Sequence, residues 1–79
     1  MAKSIHRKEY AALIEAVRDA RTAAGLTQAQ VSEKLGRSQS FISDVERGKR
    51  RLDIVELRDI AHLSGLSLAQ LIADFEGRL

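Results

Sequence analysis

Apolar residues recur along this chain at three- and four-residue spacing and never alternate over any length, which is the pattern of amphipathic helices and not of strands. Tyr10, Leu13, Ile14, Val17, Ala20 and Ala24 form one stripe. Ile54, Leu57, Ile60, Ala61 and Leu63 form a second, and Leu68, Leu71, Ile72 and Phe75 a third, with Leu79 beyond it. The five glycines, at 25, 36, 48, 65 and 77, fall where these patterns stop. After the first four stands a residue able to cap the next helix: Thr27, Ser38, Asp53 and Ser67. Thr27 with Gln30, Asp53 with Glu56, and Ser67 with Gln70 have the spacing of a capping box. The punctuation predicts helices over 5–24, 28–35, 39–47, 54–64 and 68–76. With no proline in the chain, the expected fold is all-α, one domain over 1–79.

An apolar residue just before a cap should pack on the fifth residue after it. Leu26 with Val31, Leu52 with Leu57, and Leu66 with Leu71 obey. The third helix does not, because Arg37 stands where a partner for Ile42 belongs. At 100° per residue, this helix places Phe41, Ile42 and Val45 on one arc and Gln39, Ser40, Ser43, Asp44 and Arg47 on the other. Serine and aspartate lower helix propensity, so that second arc is poorly explained as a merely solvated face. Arg47, Gly48, Lys49, Arg50 and Arg51 follow at once. A hydrogen-bonding helix face beside a cationic loop suits the reading of base edges by the one and the gripping of phosphates by the other.

Gly25-Leu26-Thr27-Gln28, Val31, Leu35-Gly36, Ser38-Gln39-Ser40, Ile42-Ser43 and Val45-Glu46-Arg47-Gly48-Lys49-Arg50, with Leu57 and Ile60-Ala61 further on, resemble the helix-turn-helix of the lambda repressor and Cro-like (XRE) family. The resemblance runs from about Arg18 onward. It implies a five-helix lambda-repressor-like domain, with the helix-turn-helix over about 27–47, that binds double-stranded DNA. By that likeness Gln39, Ser40, Ser43 and Asp44 are expected at base edges. Gln39 is suited to adenine, and Asp44 would need cytosine or a cation such as Arg47 beside it. Thr27 and Gln28 are expected at phosphates by the same likeness, with Gln28 also able to brace Gln39; Arg47, Lys49 and Arg50 are expected there as the cationic loop, and Arg37 from its break in the staple pattern, with a solvated loop arginine as its alternative. Arg21 and Glu46 are expected to pair between helices 1 and 3. Phe41, at the margin of its arc, is assigned to packing. Two departures stand out: Ser32 replaces an alanine usual at a tight helix contact and is expected to bond its preceding turn. Leu52 replaces a common proline and is expected to leave the loop entry less fixed. Family dimers commonly form through the C-terminal side, which makes 68–76 the expected dimerisation helix, with Leu68, Ile72, Phe75 and Leu79 at the interface. The competing assignment is that this stripe completes the monomer core.

Composition alters this picture only in part. The net charge of +2 is modest, but residues 1–36 carry six basic against four acidic side chains, 37–51 five against two, and 52–79 two against five. The middle would attract a polyanion and the C-terminal part repel it. Lys3, His6, Arg7 and Lys8 form a small basic leader, read either as an arm along DNA or as a solvated start. No cysteine is present, and His6 and His62 are too few for a metal cluster, so no metal or other cofactor is expected. No phosphate-binding glycine loop or nucleophile-and-base set is visible, which argues against an enzyme. No apolar run approaches a membrane span and no secretion signal opens the chain, so a cytoplasmic protein without membrane contact is expected. With five helices filling the chain, no second domain for a small-molecule inducer is expected. The reading is a sequence-specific transcriptional regulator, a homodimer on an inverted-repeat operator. The alternative is an antitoxin-type module that binds a protein partner as well as its own operator.

Overall fold

Capping residues and left-handed glycines divide the chain into short helices, and the computed structural model describes them over residues 7–79. They are α1 (Lys8–Ala23), α2 (Gln28–Lys34), α3 (Phe41–Glu46), α4 (Ile54–Leu63) and α5 (Leu68–Gly77). Lys3, His6 and the first positions of the predicted 5–24 helix lie outside the described residues. All three capping boxes are present: Thr27, Asp53 and Ser67 each accept from the backbone N–H three residues on, and the Gln30, Glu56 and Gln70 side chains accept in return. Gly36 and Gly48 take φ of +67° and +76°, a region that other residues enter at a cost, and there the chain leaves α2 and α3.

Among the described residues the core is one cluster. Ala16 and Val17 of α1, Val31 of α2, Ile42 and Val45 of α3, Leu57, Ile60 and Ala61 of α4, and Leu71 of α5 are all buried in it. Helix α1 is the central scaffold, packed on α3, α4 and α5, while α2 packs on α3 and α4 on α5. Ala12 and Ala16, which a search for bulky stripes passes over, are buried because alanine lets neighbouring helices approach closely. Ala24, placed on the first stripe, is exposed instead, since α1 ends one residue before it. Ile54, placed on the fourth helix's apolar stripe, is 59% exposed beside Val55 at 62%, because the inward face of α4 runs through Leu57, Ile60 and Ala61.

Leu52 is also unlike its expectation. Its backbone N–H, which a proline would lack, donates to the Tyr10 hydroxyl at 3.2 Å, and its side chain packs on the core. The loop entry is thereby tied to α1. In α5, Leu68, Ile72 and Phe75 lie partly buried against the core and Leu79 is 62% exposed. Arg78 ties the end of this helix to α1, reaching Asp19 at 2.9 Å and Glu15 at 3.4 Å, and pairs with Asp74 of α5 at 3.0 Å.

Candidate nucleic-acid interface

The entry to α3 is the element on which the rest of the site turns, and it is built differently from the expected cap at Ser38. Residues 39 and 40 form a turn, the Phe41 N–H donates to the Ser38 carbonyl at 3.0 Å, and the helix begins at Phe41. Ser40 occupies the N-cap position without a side-chain cap bond. The missing cap comes from another helix. Ser32 of α2, wholly buried, accepts the Ile42 N–H on its Oγ at 3.1 Å, a bond to α3 and not to its own preceding turn. One of the donors that a helix start leaves unpaired is satisfied in this way from inside the core.

Gln39 and Ser40 are consequently exposed in the turn that leads into α3, and Ser43 and Asp44 lie half-buried on the first turns of the helix. Ala29, Glu33, Arg37 and Gln39 line a shallow depression of about 310 Å³ beside them. Arg47, one turn further, donates to Asp44 at 3.2 Å and to Ser43 Oγ at 3.3 Å. The acid that looked out of place near phosphates is thus held by an exposed cation on its own helix. At the far end, Gly48 and Lys49 donate back to Val45 and Asp44 carbonyls, which turns the exposed Lys49 out of the helix.

Behind this edge, Glu46 is anchored from three sides. Arg21 Nε donates to its Oε2 at 2.6 Å and Arg21 Nη2 to its Oε1 at 3.1 Å. Gln28 Nε2 donates to Oε1 at 2.9 Å. Arg18 Nη2 donates to the Glu46 backbone carbonyl at 2.8 Å. The residue is only 5% exposed. Burial pushes its carboxyl up, but the hydrogen bonds from Arg21 and Gln28 and the charges of Arg21 and Arg18 outweigh that and leave it lowered. Gln28 therefore directs its amide N–H inward to Glu46, with no hydrogen bond to Gln39. Thr27 stays exposed, its oxygen accepting from Gln30 N–H at 3.1 Å.

A second cluster lies at the entrance to α3. Arg37 and Arg50 lie over the Phe41 ring, at 4.2 and 4.7 Å from its centre, and both donate to Glu56 Oε2 at 2.8 Å. Phe41 is 4% exposed, so its ring is a fixed platform. The Arg50 hydrogen bonds hold the Glu56 carboxyl well below its ordinary range, at about 2, against the opposing effect of burial. Arg37 fills the gap left by the absent apolar staple by stacking on an aromatic ring. The pair Arg37 and Phe41, four residues apart, was visible in the sequence, but the role of Glu56 was hidden behind its membership of a capping box. Arg51 lies over the Tyr10 ring at 4.7 Å. Among the described residues no three acidic, histidine or cysteine side chains converge on a metal position, and no helix is long and apolar enough to cross a membrane.

The arrangement of two short helices around a glycine turn is shared with known proteins. The pattern that defines the helix-turn-helix domain family matches residues 12–73. The structure of an XRE-family like protein from Pseudomonas syringae pv. tomato str. DC3000 superposes with a TM-score of 0.83 at 39% identity, covering 94% of this chain and 90% of that one. The HTH-type transcriptional regulator y4dJ of Sinorhizobium fredii (strain NBRC 101917 / NGR234) is 38% identical over 48 residues, which is 61% of this chain and 62% of y4dJ. The match thus spans less than two thirds of that regulator's length. With the family pattern spanning most of the chain and an XRE-type structure alike in both fold and sequence, the protein belongs to the XRE-type helix-turn-helix family of transcriptional regulators.

Proposed function

We propose that this protein is a sequence-specific DNA-binding regulator of transcription that acts as a cytoplasmic homodimer on an inverted-repeat operator. The observation that carries the reading is the exposed edge of Gln39 and Ser40. Among the described residues their side chains have no protein partner, while no buried side-chain nitrogen or oxygen behind them lacks one. An unengaged glutamine amide can form two bonds to adenine, and a serine hydroxyl can serve a base edge or a phosphate. Ser43 and the Asp44–Arg47 pair extend this edge along the helix. Lys49, Thr27, Arg37 and Arg50 flank it and are assigned to the sugar-phosphate backbone, where they orient the domain without reading sequence.

Two copies joined through the outer side of α5, where Leu79 is exposed and Leu68, Ile72 and Phe75 are partly so, would set two reading edges on successive turns of the duplex, about 34–36 Å apart. Selection of binding sites from randomised duplexes, together with sedimentation of the free protein, tests both halves. The expected result is a two-fold motif with half-sites one helical turn apart, and a dimer that dissociates on dilution. A pure, folded sample that retains no duplex at low ionic strength would remove the reading. A single asymmetric site bound by a monomer would remove its dimeric half.

A further inference from the structure

The Glu56 carboxylate joins three parts of the chain that lie apart in sequence. Its Oε1 accepts from Asp53 N–H at 3.0 Å and Arg50 Nη1 at 3.0 Å, and its Oε2 from Arg37 Nη1 and Arg50 Nη2, each at 2.8 Å. The carboxylate is thus engaged by the turn before α3, the loop after it and the start of α4. Its side chain is 14% exposed, whereas those of Arg37 and Arg50 are 36% and 37% exposed. The acid is covered and the cations are not.

Each guanidinium has five N–H donors. Among the described residues Arg37 donates one hydrogen bond, and Arg50 donates three, one of them to the Arg51 carbonyl. Both therefore keep donors that no protein acceptor takes. Both also lie over the buried Phe41 ring, and Arg37 lines the same depression as Gln39. An acid beside a nucleic-acid surface ordinarily weakens binding by charge. Here the acid fixes two long side chains that would otherwise have to be ordered when a phosphate arrives, and ordering them then would cost affinity.

We infer that Glu56 is a positioning residue for DNA: by holding Arg37 and Arg50 against Phe41, it presents their remaining donors as one preformed phosphate-gripping edge beside Gln39. The inference rests on the DNA-binding reading above and adds to it a residue that touches no DNA itself.

Glu56→Gln is the direct test, read by fluorescence anisotropy on a labelled random-sequence duplex and on the selected operator over a series of salt concentrations. Circular dichroism gives the folded fraction, and affinities are expressed per folded molecule. The substitution raises the formal charge by one unit above +2, so plain electrostatics predicts tighter binding. Loss of positioning predicts the reverse, a fall of about tenfold on both duplexes alike, because phosphate contacts carry no sequence information. In an Arg37→Ala/Arg50→Ala background the same change should have no further effect. Phe41→Leu, which keeps an apolar side chain in the core but removes the platform, should weaken both duplexes in the same direction. Unchanged or tighter binding by folded Glu56→Gln, or an equal loss in the doubly substituted background, overturns the inference while leaving the DNA-binding reading intact. A wild-type protein that binds no duplex removes both.

Discussion

Replacing Glu46 by alanine removes the acceptor for three side-chain hydrogen bonds and leaves the Arg21 guanidinium, whose side chain is only 12% exposed, with the Leu26 carbonyl as its remaining partner. Leaving one member of a buried pair uncompensated costs about 3–5 kcal/mol. Summing the bonds separately, with charge-assisted ones at about 1.5–3 kcal/mol each, gives a similar or larger figure. A chain of 79 residues is expected to have roughly 4–12 kcal/mol of total stability, so the variant would lie near the edge of folding. In a domain of this size each kcal/mol moves the melting midpoint by about 4–8 °C, which predicts a drop of about 12 °C or more. Thermal and urea unfolding followed by far-ultraviolet circular dichroism measure it. Glu9→Ala, which breaks an exposed contact with Arg7 at 3.2 Å, is the matched control and should barely move the midpoint. Arg21→Met combined with Glu46→Leu should recover part of the loss, because no charge is then stranded. A shift below about 4 °C for Glu46→Ala would refute the argument, since the carboxylate would then be no more valuable than a surface pair.

Other outcomes follow from the same geometry. Ser32→Ala leaves the Ile42 N–H buried without its acceptor and should lower stability by about 1–3 kcal/mol in urea titrations. Gln39→Ala should cost about 1–3 kcal/mol at one base position in competition binding, whereas Lys49→Ala should weaken all duplexes alike and reduce the salt slope by about one. The Glu46 and Glu56 carboxyls are both held below their ordinary values, so the stability they supply is complete above the unfolded carboxyl value near ~4.3. It is lost as pH falls through the folded values, about 2 for Glu56. The melting midpoint should accordingly hold steady from neutrality to about pH 5 and fall below about pH 4.3, and Glu56→Gln should make that fall shallower.

Where a helix is set by its own neighbours, the sequence was sufficient to find it. Thr27 with Gln30, Asp53 with Glu56, and Ser67 with Gln70 act within four residues of one another, and they begin α2, α4 and α5 in the structure as their spacing required. The start of α3 was misplaced because its cap lies ten residues upstream on another helix, where no local pattern reports it. The inner partner of Gln28 is hidden for a related reason: the buried carboxylate that takes its amide N–H lies eighteen residues away. Arg37 is recognisably out of pattern, yet Glu56, the acid that it shares with Arg50, reaches it only once α4 has folded back. Ile54 shows the limit of periodicity: one apolar residue at the edge of a stripe can face either way.

The bond from Ser32 has a consequence for how such a protein can change. A helix of six residues is far too short to persist alone, given that isolated helices below about 12–15 residues are marginal in water. Its order is lent by Ser32, by the Phe41 platform and by the anchored Glu46, none of which faces outward. Gln39 and Ser40 hold no such structural duty, so drift at these two positions is decoupled from foldedness. On the proposed reading of bases by this edge, a lineage could exchange them and acquire new target sites while the architecture beneath remained undisturbed.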